Sequence, residues 1–416
     1  MRFALPVAVM ALLSVAQASA QQFPDGPGKE ILETKCSECH GPEQALIGDG
    51  RSPEEWRDVV QEMVGLGAEV PKDQAQILVA YLAKNWPPKK GGAPAPIVSP
   101  ASGTPANTGN IPVTFKEWEV PTPNSRPHDP LAAKDGSLWY TGMNANVLGR
   151  FDPNTQQLKE FPLKTPASGP HGLTEDNAGN IWFTANTKGY IGKLDPKTGQ
   201  INEYPMPDPA ARDPHTPVFD QKGHLWFTIQ GANKVGRLIP ASGELTLRDS
   251  PTSRSLPYGI VVSSKGVPFY VEFGANKVAS IDPQTMVIRE WTLPNADSRP
   301  RRLAIDANDV IWYSDYSRGY LGRLDPVTGT VSEWPSPGGR QAQPYGIAVI
   351  NGMVWYSESG VQPNTVVRFD PKTESFQTWK IPSGGGVVRN VSVTKEGNLV
   401  LAESGVNKIA LVEIGR

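Results

Sequence analysis

Residues 170–184 read PHGLTEDNAGNIWFT, and this order of residue types recurs throughout residues 113–416. A short segment that begins with proline is followed by a polar turn and then by an aromatic segment. In the seventh unit a valine replaces the proline. The residues that directly follow the proline or the valine are His128, His171, His215, Tyr258, Arg301, Tyr345 and Arg389. Successive residues of this set are 43 or 44 positions apart. A strand-rich repeat of this length predicts a β-propeller.

Each unit carries the signals of four strands. The aromatic segment leads to a third strand, an Asp-Pro turn and a fourth strand rich in Glu and Trp, as in Glu290-Trp291 and Glu333-Trp334. Seven such units predict a mainly β fold, a seven-bladed propeller over residues 113–416. Residues 115–120 resemble a fourth strand but precede the first unit, and the last unit ends after its third strand. We therefore expect the N-terminal strand to complete the last blade and to cover its open edge.

Two positions of the repeat are expected to line the central channel, which we call the funnel. The first is the residue after the proline, and its seven members are called the ring residues. The second position follows each aromatic strand and holds Gly142, Ala185, Ile229, Glu272, Asp315, Glu358 and Glu403. Histidines would occupy one side of the funnel, and carboxylates with two arginines the other side. These groups suit a divalent cation such as Mg²⁺ or Ca²⁺, or acid–base catalysis near neutral pH. The alternative is a solvated channel with ion pairs, such as Arg301 with Asp315.

Residues 36–40 read Cys-Ser-Glu-Cys-His, which is the spacing of a c-type haem attachment site. In such a site Cys36 and Cys39 bind the haem covalently, and His40 becomes an axial ligand of the iron. A thioredoxin-like pair or half of a zinc site are the alternatives. The chain contains no other cysteine, and the adjoining histidine argues against both alternatives. The motif therefore predicts one covalent haem c and an electron-transfer function.

The haem motif lies in a predicted all-α domain of residues 21–88. Helices are expected over residues 28–35, from Ser52-Pro53 onward, and over residues 73–86. The apolar positions of the third helix are Ile77, Val79, Tyr81 and Leu82. Met63 is the only methionine of this domain, and the domain has no second histidine. Met63 is therefore the predicted sixth iron ligand, and the alternative is a methionine that packs in the core.

The flanking segments predict export and a linker. Residues 1–20 combine Arg2, an apolar run over residues 4–15 and the small residues Ala18-Ser19-Ala20, which together predict a cleaved signal peptide. The apolar run is too short to span a bilayer, and a buried N-terminal helix is the alternative. Residues 89–112 are rich in Pro, Gly, Ser and Ala, which predicts a linker. We expect a periplasmic protein without a membrane span.

The motif set Pro-His-Gly…Gly-Asn-Ile-Trp-Phe-Thr…Gly-Ala-Asn-Lys-Val-Gly resembles the virginiamycin B lyase-like (streptogramin lyase) propellers over residues 113–416. For the lyases, this resemblance implies magnesium and two histidines at the ring position of two late, consecutive blades. The residues at those positions here are Tyr345 and Arg389, and the residues two before them are Gln343 and Val387. Of the implied acids, only Glu358 and Glu403 match.

The stretch from Trp56 through Met63 to Asn85 resembles small class I cytochrome c domains that are fused to periplasmic oxidoreductases. The resemblance covers some 60 residues and supports Met63 as the sixth ligand.

Taken together, these patterns predict a periplasmic c-type haem electron-transfer protein whose propeller binds a small substrate or a redox partner protein in its funnel. One alternative is a metal-dependent lyase or hydrolase of the virginiamycin B lyase-like type with an appended cytochrome. The other is an interaction module that docks the cytochrome to a redox enzyme. The net charge of −2 gives no basic footprint for nucleic acid, and no Gly-x-Gly-x-x-Gly motif for a dinucleotide follows a strand.

Overall fold

A computed structural model describes residues 23–35, 51–65, 70–87 and 110–415. The chain divides into two compact units, residues 1–93 and residues 94–416. The predicted signal peptide, the haem motif at residues 36–40 and most of the predicted linker lie outside the described residues. The side chain of Met63 also lies outside the description, although its backbone is helical.

The described part of the first unit contains three helices: α1 (Lys29–Lys35), α2 (Pro53–Gly65) and α3 (Lys72–Asn85). Helix α2 begins with a capping box, as the Ser-Pro signal indicates. The Ser52 hydroxyl accepts a hydrogen bond from the Glu55 N–H at 3.2 Å, and the Glu55 carboxylate accepts one from the Ser52 N–H at 2.8 Å. The helices pack around a small core that contains Trp56, Val60, Leu78, Tyr81 and Leu82.

One apolar position of α3 differs from the prediction. Val79, Tyr81 and Leu82 are buried, but Ile77 is 41% exposed and Leu78 is 1% exposed. Leu78 lies three and four residues before Tyr81 and Leu82, so a helix of 3.6 residues per turn places it on their face and turns Ile77 outward. Among the described residues, no helix has the length and apolarity needed to cross a membrane.

The second unit consists of seven four-stranded antiparallel sheets, which confirms the seven-bladed propeller. The first strand is β1 (Val113–Glu119). Blade 1 contains β2 (Pro127–Ala132), β3 (Leu138–Gly142), β4 (Val147–Asp152) and β5 (Gln157–Pro162). Blade 2 contains β6 (Pro170–Glu175), β7 (Ile181–Ala185), β8 (Tyr190–Leu194) and β9 (Ile201–Pro205). Blade 3 contains β10 (Pro214–Phe219), β11 (Leu225–Ile229), β12 (Lys234–Ile239) and β13 (Glu244–Asp249).

The later blades repeat this order. Blade 4 contains β14 (Pro257–Val262), β15 (Pro268–Glu272), β16 (Lys277–Ile281) and β17 (Ile288–Thr292). Blade 5 contains β18 (Pro300–Ile305), β19 (Ile311–Asp315), β20 (Tyr320–Leu324) and β21 (Val331–Pro335). Blade 6 contains β22 (Pro344–Ile350), β23 (Met353–Glu358), β24 (Thr365–Asp370) and β25 (Ser375–Lys380). Blade 7 contains β26 (Val388–Val393), β27 (Leu399–Glu403) and β28 (Lys408–Ile414).

The N-terminal strand β1 completes blade 7, as the sequence predicts. The strand order in this blade is β26, β27, β28 and β1, and the register runs from Val113 opposite Ile414 to Glu119 opposite Lys408. The first strand of the unit thus pairs with the last one. This pairing removes an open sheet edge and closes the ring without a covalent link.

The core lies between the blades and is built around the aromatic strands. Trp182 and Phe183 of β7 are fully buried, and the Trp182 ring stacks on Tyr204 with 5.4 Å between centroids. Opposite Phe183 stands Gly192 of β8, where an added Cβ would lie 2.0 Å from the Phe183 ring. A glycine of the third strand lies equally close to the rings of Tyr140, Phe227 and Tyr313 in their blades. A glycine at this point of the third strand therefore makes room for the aromatic ring.

Every innermost strand contains a register shift directly after its first residue, and this shift positions the funnel. In blade 2, Pro170 pairs with Ala185 and Leu173 pairs with Phe183, so His171 and Gly172 together oppose Thr184. Two residues opposite one define a β-bulge. The Thr184 hydroxyl accepts a hydrogen bond from the Gly172 N–H at 2.8 Å and donates one to the His215 carbonyl of the next blade at 2.7 Å. The hydroxyl thus stabilises the bulge and joins adjacent blades.

Candidate functional site

The ring residues of the first four blades form one continuous stack. The ring centroids of His128 and His171 lie 3.9 Å apart, those of His171 and His215 lie 3.8 Å apart, and those of His215 and Tyr258 lie 3.8 Å apart. The Tyr258 hydroxyl contacts the hydroxyl of Tyr345 in blade 6. All five side chains are buried. The tertiary structure therefore brings residues together that are spread over 218 positions of the chain.

Burial keeps the three histidines of this stack neutral. It lowers the pKa of His128 well below the ordinary value, and the nearby Arg389 lowers it further. The pKa values of His171 and His215 are lowered in the same way, first by burial and then by the neighbouring imidazole of the stack. At pH 7 the stack is therefore uncharged, and its imidazoles act as hydrogen-bonding groups.

An ion pair spans the funnel one residue further along the strands. Asp129 of blade 1 accepts hydrogen bonds from Nη2 of Arg302 in blade 5 at 2.9 and 3.2 Å, and from Nδ2 of Asn390 in blade 7 at 2.9 Å. Nδ1 of His128 lies 2.9 Å from the same carboxylate. A carboxylate only accepts, so this nitrogen carries the proton. Nη1 of Arg302 donates to the Thr216 hydroxyl at 2.9 Å.

We call the residues at this position the floor residues; they are Asp129, Gly172, Thr216, Gly259, Arg302, Gly346 and Asn390. Sequence analysis missed them, because only the bulge turns two successive residues toward the funnel. A signal was present, since three of the seven repeats have glycine here. A Cβ added to Gly172 would lie 2.5 Å from the carbonyl oxygen of His215, so adjacent inner strands approach too closely for a side chain.

Arg301 lies among four aromatic rings. Its guanidinium carbon is 4.3 Å from the centroids of Tyr316 and Tyr345, 4.7 Å from that of Phe273 and 5.1 Å from that of Tyr258. The predicted ion pair with Asp315 is not formed, because the Asp315 carboxylate contacts Arg318 at 3.2 Å. Within the described chain, no carboxylate lies within 4 Å of Arg301. Its charge is stabilised by the faces of the rings instead.

Arg389 is the second ring arginine without an acidic partner among the described residues. Its side chain is buried, and its Nη1 atom has no hydrogen-bond partner in the described part of the chain. Burial, and then the positive charges of Arg126 and Arg301, lower its pKa to about 10. Burial disfavours the charged form of Arg389, and the two neighbouring positive charges act in the same direction.

The acids that follow the aromatic strands accept hydrogen bonds from groups other than the ring residues. The Glu358 carboxylate accepts hydrogen bonds from the Ser336 hydroxyl, the Gly338 N–H and the Thr365 hydroxyl, each at 2.6 Å. Glu403 accepts from the Ser383 hydroxyl at 2.8 Å. In the described residues, no hydrogen bond or ion pair links these carboxylates to ring residues.

Glu272 and Asp315 follow the same pattern. Glu272 accepts from the Ser250 hydroxyl, and Asp315 accepts from the Arg299 N–H at 2.9 Å. Each acid pairs directly with the first residue of its innermost strand, as Glu272 does with Pro257 and Glu403 with Val388. Cross-strand partners lie on the same face, whereas the next residue along a strand turns to the other face. The acids therefore stabilise the loops between blades. Gly142, Ala185 and Ile229 occupy this position in blades 1 to 3 without adding a charge.

The donor set nearest to a metal site is His128, Asp129 and His171, whose ligand atoms lie within 4.8 Å of one another. Both oxygens of Asp129, however, already accept hydrogen bonds from the Arg302 guanidinium. A divalent cation there would be repelled by this positive charge. The residues of the funnel therefore do not fit the magnesium ion that the lyase resemblance implies.

The comparisons with known proteins agree with this fold. The virginiamycin B lyase family model matches residues 108–271. A solved streptogramin B lyase structure is 26% identical, covers 73% of this chain and 98% of that chain, and has a TM-score of 0.67. The virginiamycin B lyase of Staphylococcus aureus is 23% identical, covers 72% of this chain and 99% of that chain, and has a TM-score of 0.67. A catalytically inactive virginiamycin B lyase of the same organism with quinupristin has 23% identity, the same coverage and a TM-score of 0.65. No curated protein sequence matches the chain. The second unit is thus a seven-bladed propeller whose fold is similar to that of the streptogramin B lyase structure.

Proposed function

We propose that this chain is a periplasmic c-type haem electron-transfer protein whose propeller binds a small substrate or a redox partner in its funnel. The observation that carries the electron-transfer role is the motif at residues 36–40. It supplies two thioether attachment points and an axial histidine. Cys36, Cys39 and His40 would hold the haem, and Met63 of α2 would supply the sixth ligand. When bound, the haem would accept and donate single electrons.

The binding role is supported by the contents of the funnel. Neutral imidazoles, tyrosine hydroxyls and two arginines without acidic partners among the described residues converge from different blades. Polar groups that converge in a concave, largely apolar site are typical of small-molecule recognition. A channel with a structural role only would be expected to pair its buried charges internally, as Asp129 and Arg302 are paired.

The lyase alternative receives less support from the funnel. The two late ring positions hold Tyr345 and Arg389, and neither side chain is a metal ligand in the lyase pattern. The Asp129 carboxylate is engaged by Arg302. The fold is shared with the lyases, but a shared fold does not establish a shared activity.

The test of the haem role uses the full chain purified from a periplasm that attaches haem. We expect one haem per chain that stays bound under denaturing conditions, and loss of this haem in Cys36→Ser and Cys39→Ser. Met63→Leu should keep the haem but change its axial-ligand spectrum, whereas the control Met353→Leu in β23 should leave the spectrum unchanged. A chain without covalent haem would refute the electron-transfer role.

The binding role and its alternatives are separated by a second measurement. Candidate substrates and periplasmic redox proteins are added to the oxidised protein, and the haem absorbance is followed. Haem reduction without an external reductase supports a substrate-binding propeller, and saturable binding of a redox protein supports the partner form. A stoichiometric divalent ion that is lost in Asp129→Asn would instead favour the lyase alternative.

A further inference from the structure

We infer that the funnel is a binding site for a small organic anion, whose oxyanion head group is held by Arg301 and Arg389 and whose body lies against the aromatic rings around Arg301. This inference deepens the binding role proposed above and rests on it, but it does not depend on the haem.

The first argument is the charge balance of the funnel. Three arginines, Arg301, Arg302 and Arg389, face one carboxylate, that of Asp129. Arg302 neutralises Asp129, which leaves the charges of Arg301 and Arg389 without a counter-ion among the described residues. The histidines of the stack are neutral because they are buried. A buried cation such as the Arg389 guanidinium is costly without an anion in a medium of low dielectric constant.

The second argument is the set of unused hydrogen-bond donors. Nη1 of Arg389 and Nε of Arg301 have no partner within the described residues. Buried polar atoms are nearly always satisfied by protein, water or ligand. Guanidinium groups present donors in a fixed fork that matches the two oxygens of a carboxylate or a phosphonate. An oxyanion would therefore satisfy the charges and the donors together.

The third argument concerns access and the body of the ligand. Arg389 is buried, whereas Arg301 is half-buried and keeps part of its surface in contact with solvent. Phe273 and Tyr316 are also half-buried, and their rings lie 6.4 Å apart in an edge-to-face pair beside the Arg301 guanidinium. Aromatic side chains beside a charged group are typical of sites for ligands with an apolar, planar body. The ion pair of Asp129 and Arg302 closes the floor beneath such a ligand.

Isothermal titration calorimetry of the full chain tests this inference. The probes are benzoate and phenylphosphonate, which share an aromatic body and differ in the head group, and benzamide as the neutral match for benzoate. We expect at least one anion to bind about 10-fold or more tightly than benzamide, and the tighter anion identifies the head group. If neither anion binds, or if benzamide binds equally well, the inference is refuted.

Variants assign the binding to the funnel. Arg389→Gln removes a charge-assisted hydrogen bond and should weaken anion binding by about 10- to 100-fold, and Arg389→Lys should restore part of the loss. Arg289→Gln is the matched control, since Arg289 also lies over an aromatic ring, that of Trp291, but on an outer strand. Equal effects of the two Gln variants would place the binding elsewhere and refute the site.

Two features keep the test decisive. If Arg389→Gln does not fold, as judged by circular dichroism, the comparison of each anion with benzamide on the unaltered chain still tests the inference. Calorimetry does not use the haem absorbance. A chain that lacks covalent haem would therefore refute the electron-transfer role, while anion binding would still be measured.

Discussion

The ion pair across the funnel is expected to stabilise the closed ring, and replacing one partner at a time tests this. Asp129→Asn leaves the Arg302 guanidinium buried beside Arg301 and Arg389 with no negative charge near it. Both members of the pair are almost completely buried, with side-chain exposures of 2% and 3%. Removing one partner of a buried pair costs about 3–5 kcal/mol, because the remaining charge is uncompensated.

The two single replacements should differ in magnitude. Arg302→Met leaves the Asp129 carboxylate with the donors of His128 and Asn390 and among the remaining arginines. Arg302→Met should therefore lower the free energy of unfolding by less than Asp129→Asn does. The double replacement, Asp129→Asn with Arg302→Met, should cost less than the sum of the single ones, since no uncompensated charge remains.

Urea unfolding followed by tryptophan fluorescence measures these effects on the propeller. Nine of the eleven tryptophans lie in it, at positions 118, 139, 182, 226, 291, 312, 334, 355 and 379. For a unit of this size, the expected loss for Asp129→Asn corresponds to about 6–10 °C in Tm. Glu413→Gln is the control, because its ion pair with Lys116 is exposed and should contribute about 0–1 kcal/mol. If the free energies of unfolding of Asp129→Asn and the control agree within about 1 kcal/mol, the reasoning is refuted.

Three further predictions concern the rest of the propeller. Burial and Glu117 raise the pKa of Glu403 to about 7 from its ordinary 4.5, so the folded state binds the proton more tightly than the unfolded state. The stability that this group contributes is fully present below about pH 4.5. It is lost as the pH rises through 7, and the loss amounts to about 3 kcal/mol. Glu403→Gln should therefore flatten the dependence of the urea midpoint on pH between pH 5 and 8, and an unchanged slope would contradict this. Thr184→Val removes both hydrogen bonds of the blade 2 bulge and should lower the free energy of unfolding by about 1–3 kcal/mol, whereas Thr373→Val in an exposed turn should change it by less than about 0.5 kcal/mol. Gly192→Ala places a Cβ against the Phe183 ring and should lower the free energy of unfolding by about 1–3 kcal/mol, as measured by thermal melting. An unchanged free energy of unfolding would argue against this packing.

Much of the fold could be predicted because the blade is a local unit. Its turns, its aromatic strand and its proline recur within 43 or 44 residues, so the pattern is complete inside each repeat. The closure of the ring could also be predicted, since one strand is missing at the C-terminal end and a matching strand precedes the first repeat. The exposed position of Ile77 was predicted incorrectly, because apolar character alone does not fix which face of a helix is buried.

The candidate site could be predicted only in part. The period of the repeat identifies one position per blade, and the side chains at this position in blades 1 to 4 stack on one another. The acids after the aromatic strands were expected at the funnel as well. Their pairing with the first residue of each innermost strand, however, turns them toward the loops between blades.

The sequence by itself determined the propeller and its closure, because these follow from short-range repetition, and it predicts the ring residues as the lining of the funnel. It also contains the motif at residues 36–40, whose spacing of two cysteines and a histidine predicts a haem attachment site. Only the tertiary structure decided that Asp129 pairs with Arg302, 173 residues away, and that Arg301 and Arg389 have no carboxylate beside them in the described chain. The physical reason is that the bulge and the closure of the ring set which side chains meet across the funnel, and no single repeat contains that information.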